Sequence, residues 1–245
     1  MTEYQAGRYR IEILYEDNHL LVVRKPPNMA VQADSSGDLD IQTALKSYIK
    51  ERYNKPGAVF LALCHRLDRP VGGVMVLCRT SKCAERLTRQ FASHTVDKTY
   101  LCAVRGEVSG VQELSDFLLK DARGMVRVVD EGTPGAKLAR LTATPLTHAD
   151  GLTLMQVALH TGRSHQIRVQ MAHSGHPLWG DNRYGDGRPG QQIALWATSL
   201  SIDHPTTGER LCFDCPPPDA APWGLWRICV KDGIIEAQTC PGAEL

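Results

Sequence analysis

The most chemically pointed feature of this 245-residue chain is an aspartate between two arginines, in His65-Arg66-Leu67-Asp68-Arg69-Pro70, followed by Val71-Gly72-Gly73 and an apolar run. Opposite charges at close range lower a carboxylate's pKa and keep it ionised, which suits a nucleophile better than a general acid. Taken alone, such an aspartate is more often part of a structural salt bridge in a loop than a catalytic group. A second segment, Thr161-Gly162-Arg163-Ser164-His165-Gln166-Ile167-Arg168, brings a glycine turn, a polar cap and two arginines to the start of a short helix. Helix starts attract anions through unpaired amides and the dipole; the plainer reading is a capped helix with surface arginines. His165, His173 and His176 cluster here, but neither an HExxH pattern nor a paired carboxylate set accompanies them, so no catalytic metal is expected. Cys212 and Cys215 have metal-ligand spacing, yet a structural zinc needs two more ligands.

These segments must be held by elements that the pattern of apolar residues predicts. Arg10 to Arg24 reads as two strands around a turn at Glu16-Asp17-Asn18. Ile41, Ala44, Leu45, Tyr48 and Ile49 recur at helical spacing, giving an amphipathic helix that begins near Asp40 and ends before Pro56. Gly73 to Cys78 reads as a buried strand. Ser81 is the expected cap of a helix with Ala84, Leu87 and Phe91 on its apolar face and Lys82, Arg86 and Arg89 on the other. Strands are expected at 99–104, 125–129, 138–144 and 152–160, then a short helix over 164–173 capped by Ser164, with Gly175 just past its end. Strand runs with interspersed helices and no regular βαβ rhythm predict an α+β fold around a mixed, largely antiparallel central sheet flanked by helices. Pro216-Pro217-Pro218 interrupts pairing, so the expected division is one domain over 1–215 and a Pro-rich tail over 216–245, packed on that domain or trailing from it.

Composition is that of an ordinary globular chain, with 42% hydrophobic and 22% charged residues. Neither a signal peptide nor an apolar run of spanning length is present, which predicts a cytoplasmic protein with reduced thiols and no membrane partner. The formal net charge of +1 hides an asymmetry. Residues 62–105 carry eight basic and three acidic side chains, whereas residues from 201 onward carry three basic and seven acidic ones. A basic middle suits a nucleic-acid face that includes Arg86 and Arg89, and a solvated helix surface explains the charge equally well.

HRLDRPVGGVMVLCRT is similar to the catalytic motif of the RluA-type pseudouridine synthases, and TGRSHQIRVQMAHSGHPLWGD resembles that family's second hallmark motif. LLVVRKPPNMAV, KTYLCAVRG and LWATSLSIDHPTTGE extend the match in order, from about Ile11 to Phe213. The resemblance implies the pseudouridine synthase fold with a catalytic cleft across the sheet, an RNA partner (rRNA or tRNA) and no cofactor. It implies Asp68 as the catalytic aspartate, Tyr100 against the target base, and Arg168 paired with Asp68. Arg66 takes the space near a flipped-out nucleotide, and His65, Arg69 and Arg163 join it, Arg86 and Arg89 in the RNA-contacting set. Leu195-Trp196-Ala197 departs from the family's leucine-histidine-alanine step. A preceding S4-type RNA-binding domain is not expected, because Tyr15 already falls in the first catalytic-domain strand. The alternatives from other classes are a non-catalytic RNA-binding or ribosome-assembly protein on this fold, and a metal-dependent hydrolase built on His165 to His176.

Overall fold

Alternating and continuous apolar runs become strands, and capped amphipathic stretches become helices. In a computed structural model, which describes residues 2 to 245, the chain forms β1 (Thr2–Ala6), β2 (Tyr9–Glu16), β3 (Leu20–Lys25), α1 (Ile41–Arg52), β4 (Ala62–Leu63), β5 (Gly72–Cys78) and α2 (Ser81–Ala92). Then come β6 (Asp97–Arg105), β7 (Gln112–Lys120), β8 (Val126–Val129), β9 (Lys137–Ala149), β10 (Leu152–Leu159) and α3 (Gln166–His173). The rest is β11 (Leu195–Asp203), β12 (Arg210–Asp214), β13 (Trp226–Lys231) and β14 (Ile234–Thr239). They fall into two compact units, the first comprising residues up to Asp97 with Ser199–Cys215, the second Lys98–Thr198 with Pro216–Leu245. The region expected as one domain through residue 215 thus has parts in both. The residues after Cys215 belong to the second unit and form a hairpin there.

In the first unit β1, β2, β3 and β5 pair in that order, all antiparallel, with β4 also on β5 and β12 on the Ser199–Asp203 part of β11. Tyr15 lies in the second strand rather than the first. Leu20 to Val23 and all of β5 are buried, so apolar residues run continuously there instead of alternating. Asp40 caps α1 in extended conformation, its carboxylate accepting the Thr43 amide at 2.9 Å and the Thr43 hydroxyl at 2.7 Å. The helix buries Ile41, Ala44, Leu45, Tyr48 and Ile49. Glu16, at the end of β2, ties the helix to the strands by accepting from Tyr48 Oη and Tyr53 Oη, both at 2.8 Å, and from Arg79 Nη1 at 3.0 Å.

In the second unit β6, β10, β9, β7 and β8 form an antiparallel series in that order. The β9–β10 and β13–β14 turns use Asp150-Gly151 and Asp232-Gly233, with all four residues at positive φ between 47° and 77°. Asp-Gly pairs supply that left-handed geometry, which matches strand twist in a two-residue hairpin. α3 packs Val169 against Leu118, Val126 and Ala139 of the sheet.

Two caps differ from expectation. Thr80, not Ser81, caps α2: it is extended at φ −136°, and its hydroxyl accepts the Cys83 amide at 3.2 Å, whereas Ser81 is already helical. α3 starts after His165 in left-handed conformation (φ 53°) with no side-chain cap, and Gln166 Oε1 instead accepts the Arg163 amide at 3.0 Å. At the start of α1, which was expected near Asp40, Asp40→Ala should lower unfolding free energy by about 1 kcal/mol and Asp40→Asn by much less, measured by urea denaturation. Equal losses in both variants would remove capping as the role of Asp40.

Candidate functional site

Asp68 sits on a turn closed by its own carbonyl, which accepts the Val71 amide at 3.0 Å. Both sides of this turn are fixed by backbone contacts. Upstream, His65 Nε2 accepts the Val76 amide of β5 at 3.0 Å, and its ring stacks on Phe91 of α2 at 4.8 Å and 17°. A ring nitrogen that accepts an amide hydrogen carries no proton, so His65 is the neutral Nδ1–H tautomer. Downstream, the Arg69 carbonyl accepts from the Lys25 ammonium at 3.1 Å, which also donates to the Pro26 carbonyl at 2.9 Å.

Lys25 is the functional-region residue that the sequence reading missed. It ends β3, is fully buried, and lies opposite Gly73 in the β3–β5 ladder. Gly73 stands at φ 122°, a backbone conformation that an L side chain rarely adopts. Burial pulls the Lys25 pKa down to about 7, the charge of Asp68 opposes that fall, and the charge of Arg69 adds to it. The sequence cues were a lysine closing an apolar strand ahead of Pro26-Pro27 and its place within LLVVRKPPNMAV, and neither carries information about its partners.

The arginines divide by what holds them. The Arg69 guanidinium grips the 34–38 loop, at 2.8 Å from Asp34 Oδ2, 2.7 Å from Ser36 Oγ and 2.5 Å from Asp38 Oδ2. Hydrogen bonds from Ser36 and Arg69 hold Asp34 down at about 2. Arg86 Nη1 donates to the Pro205 carbonyl at 2.5 Å, and Arg89 pairs with Glu85 one helical turn away at 3.0 Å. Arg66 is exposed and has no hydrogen bond or ion pair among the described residues.

In the second unit Tyr100 is half-buried on β6, opposite Val157 of β10. Arg163 is exposed and donates from Nε to the Leu138 carbonyl at 2.9 Å. Arg168, on α3, is 5% exposed and makes a two-point pair with Asp181, Nε to Oδ2 at 2.8 Å and Nη2 to Oδ1 at 2.7 Å. Asp181 also accepts the Arg183 and Tyr184 amides, at 2.9 and 3.2 Å. Burial pushes the Asp181 pKa up, but the hydrogen bonds and charge of Arg168, with those two amides, outweigh it and leave the carboxyl below its ordinary 3.8. The three histidines of this region do not converge on one point: His165 Nδ1 meets Tyr184 Oη at 2.7 Å, and His176 Nδ1 meets the Arg105 carbonyl at 3.1 Å. Cys212 lies in the middle of β12 and Cys215 just past its end, exposed and buried respectively, and no metal-holding group of three or more His, Cys, Asp or Glu occurs among the described residues.

The family model described as RNA pseudouridylate synthase matches residues 19–173, a stretch that includes Lys25, Asp68, Tyr100 and Arg168. The chain belongs to this family. Among curated relatives, ribosomal large subunit pseudouridine synthase C of Escherichia coli O157:H7 is 33% identical over 234 residues, which span 89% of this chain and 69% of that protein. The protein of the same name from Salmonella typhimurium is 34% identical over 83% of this chain and 66% of its own length. The chain therefore spans about two thirds of the length of these relatives. Two solved structures share the fold: human RNA pseudouridylate synthase domain containing 1, with TM-score 0.68 and 25% identity over 95% of this chain and 91% of that one, and human RNA pseudouridylate synthase domain containing 4, with TM-score 0.70 and 22% identity over 84% and 88%. As a pseudouridylate synthase family member the chain has the α+β, largely antiparallel architecture that its motifs implied.

Each buried cation carries a stability signature. The Lys25 pKa is about 7 folded against 10.5 in its ordinary state. The unfolded chain thus holds that proton more tightly, and stability should rise between pH 7 and pH 10 as the folded state sheds its charge. Replacing Lys25 by Met should flatten that rise in urea midpoints, and an unchanged slope would mean that Lys25 titrates normally. For the second cation, Asp181→Asn neutralises the carboxylate that the buried Arg168 holds by two hydrogen bonds, a loss of about 3–5 kcal/mol. Because the folded Asp181 pKa is depressed, its contribution is complete above pH 4 and lost as pH falls through the folded value, so wild-type acid unfolding should be steeper than that of Asp181→Asn. The double variant Arg168→Met/Asp181→Leu should be more stable than Asp181→Asn, and strictly additive losses would sink the pairing.

Proposed function

We propose that this chain isomerises uridine to pseudouridine in RNA, with Asp68 as the catalytic carboxylate. The observation that carries this reading is the Asp68 turn, which lies inside the family match and is braced by backbone hydrogen bonds on both sides. The reaction breaks the N1–C1′ bond and joins the same base through C5, so no atom or electron is gained and no redox cofactor is demanded. An ionised carboxylate can attack the sugar or base carbon, or act as a base toward the ribose.

A stacked uridine must first leave the helix, at a cost of about a few kcal/mol. Arg66, exposed and without an internal partner, fits the role of filling the vacated space. Tyr100 is assigned to stacking on the base and to helping remove the C5 proton, and Arg168 to keeping Asp68 ionised. Arg89 and Arg163, whose contacts with Glu85 and the Leu138 carbonyl leave them exposed to solvent, are the further cations assigned to phosphates. His65, Arg69 and Arg86 act through position, because the His65 ring and the Arg69 and Arg86 guanidinium groups are engaged by the protein's own groups. The relatives named for the ribosomal large subunit point to large-subunit rRNA as the substrate in preference to tRNA.

The test is pseudouridine mapping of large-subunit rRNA from cells lacking this gene, complemented with wild type or Asp68→Asn. The wild type should restore at least one site and Asp68→Asn none, while RNA affinity stays within about tenfold, or 1.4 kcal/mol, because a carboxylate adds nothing attractive to a polyanion. Turnover by Asp68→Asn would remove Asp68 from the mechanism. Failure of the wild type to modify any RNA while still binding it would favour a non-catalytic RNA-binding protein.

A further inference from the structure

Three thiols meet in the first unit, immediately beside the segment that carries Asp68. Cys78 Sγ, at the end of β5, lies 3.3 Å from Cys64 Sγ and 2.8 Å from Cys83 Sγ in the first turn of α2. Cys78 and Cys83 are buried, whereas Cys64 is only partly so and opens the His65-Arg66-Leu67-Asp68 run. We propose that Cys64, Cys78 and Cys83 form a peroxide-reactive thiol site, in which Cys64 is the attacked sulfur and Cys78 closes a disulfide onto it.

Contact order and exposure assign the roles. Both Cys64 and Cys83 engage Cys78, so the Cys78 sulfur is the centre of the cluster. A hydrogen bond from Cys78 lowers the Cys64 pKa, against the opposing effect of partial burial and with help from Thr88. The same contacts with Cys64 and Cys83, together with burial, push the Cys78 thiol up. Thiolate character and access together decide which cysteine a hydroperoxide oxidises, and Cys64 has both. Its thiolate takes one oxygen from the peroxide as the O–O bond breaks and hydroxide leaves, giving a sulfenic acid. The Cys78 sulfur then attacks the Cys64 sulfur; an S–S bond forms, the S–O bond breaks, and water departs with the Cys78 proton. Closure to a bond of about 2.05 Å requires the sulfurs to approach by about 1.2 Å, within reach of side-chain rotation. Cys83 can next exchange onto Cys78 and release Cys64. In either product Cys78 is cross-linked.

Trypsin cleavage after Arg66, Arg79, Lys82 and Arg86 puts Cys64, Cys78 and Cys83 on separate peptides, so the links can be read directly. The reduced full chain is treated with a few equivalents of hydrogen peroxide at neutral pH, alkylated, digested and mapped by mass spectrometry. The expected result is a cross-link from Cys78 to Cys64 or Cys83, with Cys64 consumed about tenfold faster than the exposed Cys212 and Cys229. Cys64→Ser should abolish cross-linking, and Cys78→Ala should leave Cys64 as a sulfenic acid that dimedone traps. Oxidation of Cys212 and Cys229 at the same rate as Cys64, or over-oxidation of Cys64 without any link to Cys78, would overturn the proposal. The wild-type map decides even if a variant fails to fold, and none of these readouts depends on synthase activity.

Discussion

A charge taken out of water must be answered by partners in fixed places, and the Arg168–Asp181 pair imposes that requirement on much of the second unit. Both side chains are almost completely buried, at 5% and 0% exposure. Asp181 takes two hydrogen bonds from Arg168 and two from backbone amides, so its lone pairs are satisfied and the loop after it is fixed in the same act. That loop places the Tyr184 ring 5.1 Å under the guanidinium, while Tyr184 Oη accepts the Val126 amide of β8 at 3.0 Å. A helix, a loop and a strand are thus joined through one ion pair. The loop can wrap so tightly only because of its glycines. A Cβ on Gly187 would stand 2.4 Å from the Gly180 carbonyl carbon, and one on Gly180 would stand 2.3 Å from the Gln192 carbonyl oxygen.

The first unit meets the same constraint with a different residue and a different answer. Lys25 is buried with its ammonium donating to two main-chain carbonyls, an arrangement that suits a compact point charge as the planar fork of arginine would not. Carbonyls compensate a cation less fully than a carboxylate does. The lowered pKa of Lys25 and the depressed pKa of Asp181 are the electrostatic marks of these two solutions.

Legibility in the sequence followed the range of the interaction. β2, β3, α1 and β5 were readable because their signals are local: apolar runs, helical spacing and turn residues between them. β7 and β11 were not: Gln112–Lys120 mixes polar and apolar residues at an exposed flank, and Leu195–Asp203, buried almost throughout, lacks the polar–apolar alternation that marks a half-buried strand. The caps of α2 and α3 were displaced by one residue, because several consecutive polar residues can each cap and only backbone conformation chooses among them. Arg69 looked like a partner for Asp68 by adjacency, yet its guanidinium reaches 31 and 35 residues back along the chain, to Asp38 and Asp34. Asp181, which Arg168 holds by two hydrogen bonds, lies 13 residues ahead of it and showed only as part of a polar stretch. Asp68 itself was singled out by charge pattern, but it was the resemblance of several ordered segments that raised it above a loop salt bridge.

What the fold supplies around Asp68 is chiefly main chain. The Val71 amide reaches the Asp68 carbonyl, the Val76 amide reaches the His65 ring, and the Lys25 ammonium reaches the Arg69 carbonyl. These contacts bind the backbone and the flanking residues, and so fix the point from which the Asp68 side chain starts. An isomerisation that exchanges one glycosidic bond for another asks for such a frame, because its demand is a reactive group held in a constant place while the base turns past it. The cost of holding that place falls on Lys25, which is kept in a dry site where its charge is disfavoured. Gly73, the second residue of β5, pairs with Lys25 and takes the positive φ that a glycine tolerates there. The strand that carries the frame and the lysine that closes it are therefore specified together, by one ladder pairing.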